Sequence, residues 1–174
     1  MNIFHLDKDP ILCARWLCDK HCVKMVLETA QMLCTAYQRH YGLKDDLYKP
    51  AYPNHPMTRW VGDSGENFFF TIKLFGHLAD EYQYRYNKIH LSSKTILLLH
   101  SKYKDWHSWK TPFTNPPLCM PDEYKTTIRI DEDNATDEFD YIESYRKYYI
   151  GAKKYMAKYN YSEPPHWIGE LNAR

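Results

Sequence analysis

The chain has 174 residues, enough for one domain with a full hydrophobic core and too few for two ordinary ones. Hydrophobic residues make up 44% and charged ones 26%, and the formal net charge is only +1, so a polyanionic partner would have to be held by local patches rather than by the bulk field. Sixteen Tyr and five Trp beside six Gly favour helices over a many-stranded sheet, and no apolar run approaches the ~20 residues that a membrane span needs.

Residues Asn2 to Leu6 form a short apolar stretch. Asp9-Pro10 reads as an N-cap with proline at the first helical position, opening a short helix. The apolar phase slips near Leu17 to Asp19, so the first helix is expected to end there and Asp19 to cap a second, which runs to about Tyr41, where Gly42 stops it. On it His21, Lys24 and Glu28 fall within roughly 60° of one another, and Gln31, Thr35 and Arg39 continue the stripe. Val23, Val26, Leu27, Ala30, Leu33, Cys34 and Tyr37 form the side expected to be buried. Residues 43–57 carry Pro50, Pro53 and Pro56 and are expected to form an ordered loop. A long core helix follows from Ser64 to Tyr86, and another from Ser92 or Ser93 to Lys102. Trp106 to Pro121 reads as a long surface loop, and a last helix runs from about Asp137 to Tyr159 before Glu163-Pro164-Pro165 ends it. The expected fold class is mainly α, a single compact domain (1–174) of about five helices with long Pro-rich loops.

Four clusters carry candidate chemistry. Lys24 and Glu28 form either a plain helical ion pair or, at a cleft floor, a general acid/base group tuned by His21 and Lys24. In Asn54-His55-Pro56, His55 can cap a helix and also meet a ligand, and Arg59 and Trp60 follow within a turn, the pairing that phosphate binding and base stacking call for. Basic and aromatic residues interleave again at Tyr82, Tyr84, Arg85, Tyr86, Lys88 and His90, and at Tyr145, Arg146, Tyr148, Tyr149, Lys153, Lys154, Tyr155 and Lys158. Each cluster alone is equally well explained by packing; four in one neutral chain point to a polyanion groove. Cys18, His21 and Cys22 lack the second paired half of a zinc site, so neither a metal nor another cofactor is expected. Five cysteines without a secretory leader fit a reducing cytoplasm. Phosphate-loop, dinucleotide-binding, zincin, nucleophile-elbow and deaminase motifs are missing.

Taken together, the motifs at Cys18–Glu28, Asn54–Val61, Glu81–His90, Pro121–Lys125 and Tyr145–Tyr149 resemble a family of uncharacterised small proteins of tailed phages. More loosely, over the first half, Glu28 on the first long helix and an Asn-His-Pro segment followed by Arg59 and an aromatic are similar to the pyrimidine-dimer DNA glycosylases. That resemblance implies Glu28 as catalytic glutamate, His55 and Arg59 as DNA contacts, and an amine nucleophile forming a Schiff base at the sugar. Such enzymes use the α-amine freed by removal of the initiator methionine; Asn2 is too large for efficient removal, leaving the amine of Met1 or a lysine such as Lys24. The expectation is a phage-type DNA-base-directed enzyme in the host cytoplasm, glycosylase or glycosylase/lyase-like. Its catalytic residues would be Glu28, His21 and Lys24, and its binding residues His55, Arg59, Trp60, Tyr84, Arg85, His90, Arg146 and Lys153. The alternatives are a transferase or hydrolase acting on a modified base or free nucleotide, and a non-enzymatic nucleic-acid-binding module.

Overall fold

The computed structural model describes residues 1–102, 105, 109, 111–131 and 136–169. The fold is mainly helical, with six α-helices and one small hairpin among the described residues. Helix α1 (Pro10–Arg15) starts where the Asp9 carboxylate accepts the Ile11 N–H, and α2 (Asp19–Tyr41) stops at Gly42, whose φ of 76° is open to glycine. Helix α3 (Pro56–Asp63) lies partly where a loop was expected. Its first turn is set by His55, whose Nδ1 accepts the Met57 N–H at 3.2 Å, and by Pro56, whose missing N–H costs nothing there. Helix α4 (Gly65–Tyr86) is capped by Ser64 and closed by Asn87 in the left-handed region; α5 spans Lys94–Ser101. Strands β1 (Thr127–Asp131) and β2 (Thr136–Phe139) pair antiparallel, with Thr127 opposite Phe139 and Ile128 opposite Glu138. Helix α6 (Tyr141–Lys153) begins after Asp140 accepts the Glu143 N–H.

The last helix is therefore shorter at both ends than the 137–159 expected. Thr136–Phe139 pair as a strand, and a 3-10 turn at Lys154–Met156 replaces the final helical turns. The expected 106–121 loop is described only at 109 and 111–121; its remainder lies outside the described residues. There Trp109 presses its backbone carbonyl against the start of α4. A Cβ on Gly65 would come within 1.7 Å of that oxygen, so glycine is the residue that lets the two segments meet.

Helix α2 packs on α3 and α4, α1 packs on α4, and the core between them is led by Val26, Met32, Leu33, Tyr37, Phe68, Phe75 and Leu78. The apolar stretch Ile3–Leu6 forms no strand but runs through the interior, fully or nearly fully buried. It is covered by α6, whose Tyr145 and Tyr149 are completely buried; the Tyr145 hydroxyl donates to the Pro117 carbonyl at 2.8 Å. Among the described residues no helix is long and apolar enough to cross a membrane, and all five cysteines are free thiols.

Candidate functional site

The face of α2 that looks outward is rotated from the one its composition predicts. Val23 and Leu27 are 41% and 38% exposed, whereas His21, Thr35 and Gln38 are buried. The physical reason is that each buried polar group has a distant partner. The Thr35 hydroxyl accepts the Ala51 N–H at 2.9 Å, Gln38 Nε2 donates to the Tyr48 carbonyl at 2.8 Å, and His21 Nδ1 lies 2.9 Å from the Tyr149 hydroxyl. The outward strip is then Lys20, Val23, Lys24, Leu27 and Glu28, an apolar ridge flanked by charge.

On this strip the Glu28 carboxylate is 16% exposed and sits 3.1 Å from Lys24 Nζ. His55, at the first turn of α3, is close enough that the Glu28 charge favours its protonation while the amino group of Met1 opposes it. Burial is the largest effect and holds His55 below its usual range. With Nδ1 accepting the Met57 N–H, the neutral ring carries its proton on Nε2, a donor on a half-buried group. The amino group of Met1 also acts on Cys119, and the Thr58 hydroxyl contacts the Met1 sulfur at 3.8 Å. Glu28, Lys24, His55 and the Met1 amine thus share one locality built by α2, the α3 N-terminus and the first residue.

Beside it, His21 stacks on Phe4 at 4.6 Å, and its pKa is lowered to about 4 by burial and then by Lys153, Lys24 and Lys20. Three lysines from α2 and the end of α6 therefore crowd one edge of the site. His21 itself is held by Tyr149, whose hydroxyl also accepts the Cys18 N–H at 2.8 Å, and its part is to seat α2 on α6.

Other sequence candidates lie elsewhere. Arg59 is exposed on α3, next to the His55 turn. Trp60 is a core residue whose Nε1 donates to the Thr114 carbonyl at 2.9 Å, which removes it as a base-stacking surface. Arg85 is entirely buried. It donates to Glu81, to Asp19 and to the carbonyls of Leu17 and Arg15, so it cannot meet a phosphate. His90 caps the 3-10 turn Leu91–Ser93 through Nδ1. Arg146 donates to the Leu6 carbonyl and pairs with Asp7 at 3.2 Å, its guanidinium lying over Trp16 and Trp167. Lys153 stands over the Tyr148 ring, and Tyr84, 78% exposed, lines an open cleft of 870 Å³ with Trp16, His77, Asp80 and His166. Among the described residues no group of three His, Cys, Asp or Glu is arranged to hold a metal ion.

One unusual residue escaped the sequence reading. His5 is completely buried and neither ring nitrogen has a hydrogen-bond partner among the described residues. The only trace of it in the sequence is a lone histidine inside the apolar run Ile3–Leu6. Compared with known proteins through family models, curated sequences and solved structures, the chain has no match.

Proposed function

We propose that the protein is a phage-type enzyme acting on DNA bases, glycosylase or glycosylase/lyase-like, with Glu28 as its acid/base residue. The observation that carries this reading is the Glu28 carboxylate, mostly withdrawn from water, paired with Lys24 and near enough to His55 for its charge to favour protonation of that ring. Breaking a base–sugar bond leaves positive charge on the sugar C1′ as the base departs with the bonding electrons. A fixed carboxylate stabilises that charge and takes the proton from the incoming nucleophile. In the lyase form the nucleophile is an amine, that of Lys24 or Met1, which attacks C1′ and becomes a Schiff base after ring opening. The Nε2 proton of His55 and the Arg59 guanidinium supply donors for the flanking phosphate or the leaving base. The likeness of Glu28 and Asn54-His55-Pro56 to the pyrimidine-dimer glycosylases supports the same assignment.

The test is Glu28→Gln on a substrate found by screening damaged and modified-base DNA. Turnover is expected to fall by about 10² or more with fold and DNA affinity kept. Borohydride trapping with peptide mapping would place the amine at Lys24 or Met1. Unchanged turnover in Glu28→Gln would remove Glu28 from the mechanism and, with it, this reading. A second reading, a hydrolase or transferase for a free nucleotide at the same site, is favoured by one fact: Arg85 and Arg146 are engaged with the protein itself, which shortens the basic track available to a long polyanion.

A further inference from the structure

The open cleft of 870 Å³ beside Tyr84 shares no residue with the Glu28 locality and takes no part in the function proposed there. Its volume is that of a small-molecule site. Three segments wall it: the end of α1 with Arg15 and Trp16, the stretch of α4 carrying Asp80, Glu81 and Tyr84, and the turn after Tyr161 with Ser162 and Glu163. Their charges do not cancel. Glu81 is spent on Arg85, which it meets at 2.7 Å. Asp80 and Glu163 are exposed, and neither makes a hydrogen bond or ion pair with a described residue. Among the lysines and arginines only Arg15 lines the cleft, and it lies beyond ion-pair distance of both carboxylates. The Arg146 guanidinium, over the Trp16 ring at 5.3 Å, is paired with Asp7 and is not part of the lining.

Two uncommitted carboxylates in a concave space with aromatic walls hold a negative potential that a cation relieves. A bare metal ion does not suit them, since no three His, Cys, Asp or Glu among the described residues are arranged to hold one. The remaining lining fits an organic cation. Tyr84 and Trp16 bring rings against which methylenes and an ammonium can pack. Ser162 adds a hydroxyl with no hydrogen-bond partner among the described residues, an acceptor for a cation that carries N–H groups. We propose that this cleft binds an aliphatic diamine or polyamine, one primary ammonium at Asp80, another at Glu163, and the methylenes between them along Tyr84 and Trp16. The two carboxylates belong to different segments, so each takes its own charged end, whereas a planar guanidinium would spend its paired donors on one of them. A quaternary ammonium has no N–H to give to either. The ammonium of a lysine side chain shares this chemistry but brings one charge per stem.

Calorimetric titration of the whole protein with putrescine and with spermidine, at fixed ionic strength, tests it. Saturable binding is expected, about tenfold tighter for putrescine than for butylamine, which carries a single ammonium. Asp80→Asn and Glu163→Gln change exposed side chains, so the fold should be kept, with an unchanged melting temperature, while each weakens putrescine by about five- to tenfold. Tyr84→Ala should weaken it by about threefold and Tyr84→Phe should not. Nα-acetyl-lysine amide separates the two sources of an alkylammonium: weaker binding than putrescine supports the diamine, and equal binding assigns the cleft to a lysine side chain and overturns it. Magnesium at the same ionic strength should not displace the ligand; displacement would reduce the binding to a counterion atmosphere and overturn the proposal. Absent saturable binding, equal affinity for butylamine, or unchanged affinity in a folded protein carrying both Asp80→Asn and Glu163→Gln would overturn it as well.

Discussion

Two histidines make the stability of this protein depend on pH. Burial lowers the pKa of His5 to about 3, and burial with three neighbouring lysines lowers that of His21 to about 4, while both titrate near 6.5 in the unfolded chain. Between these values the unfolded state binds more protons than the native one, so stability is fully present above pH 6.5 and is lost as the pH falls toward 3. Each histidine should remove about 1.4 kcal/mol per pH unit across its window. Urea unfolding at pH 7, 5.5 and 4.5 would measure this. His5→Phe should flatten the decline by the contribution of one proton, and a decline with unchanged slope in that variant would show that His5 does not titrate on unfolding. His5 also illustrates the limit of reading residues from sequence. A histidine flanked by Phe4 and Leu6 is visibly out of place, but its isolation is created by Trp60, Phe70, Tyr141 and Tyr145, which arrive from three other segments.

At the scale of elements, the joint between α1, α2 and α4 turns on one side chain. Arg85 on α4 satisfies the Arg15 and Leu17 carbonyls at the end of α1 and binds Glu81 and Asp19, and Asp19 in turn accepts the Asn160 N–H at 2.7 Å. Arg85→Met keeps the aliphatic volume but removes the cation from two buried carboxylates, of which only Asp19 keeps its Asn160 donors, and the donors of two carbonyls. The expected loss is about 3–5 kcal/mol, seen as a lower denaturant midpoint. Arg85→Lys should recover only part of it, because one ammonium cannot span the four acceptors. A loss below ~1 kcal/mol for Arg85→Met would mean the network breaks even against a packed methionine. Local signals foretold the elements that this network joins: Asp9-Pro10, Gly42 and Ser64 mark real helix ends, whereas α2 is capped by Cys18 rather than by Asp19, whose carboxylate instead accepts from Arg85 and Asn160. The hairpin and the true start of α6 were not legible, because Thr136–Phe139 are held by pairing with Thr127–Asp131 rather than by any periodicity of their own. The rotated face of α2 was missed for the same kind of reason, since Tyr48, Ala51 and Tyr149 choose which polar residues turn inward.

For the molecule as a whole, a net charge of +1 conceals an uneven distribution. Of the basic residues expected to form one groove, Arg85 and Arg146 are tied into the protein, whereas Lys24 and Lys153 bear on His21, as does Lys20, which was not among those expected, and so occupy one side. Glu28 and His55 adjoin that side, so the candidate site was legible in the sequence as residues but not as a place: the spacing of Lys24 and Glu28 was local, while the approach of His55 depended on α3 forming and docking. If a nucleic acid lies along this face, its affinity is set by counterion release at a few lysines. The logarithm of the binding constant should then fall with the logarithm of salt by roughly 1 for each phosphate neutralised on a duplex. Replacing Lys20, Lys24 and Lys153 together by alanine should reduce that slope by about 3, and each alone by about 1. Arg146→Lys, which keeps the charge beside Asp7, should leave the slope unchanged even where it lowers stability. Fluorescence anisotropy of a labelled duplex across a salt series reads all of these. A slope unmoved by the triple replacement would place the nucleic acid on another face and separate the lysine edge from the work of Glu28.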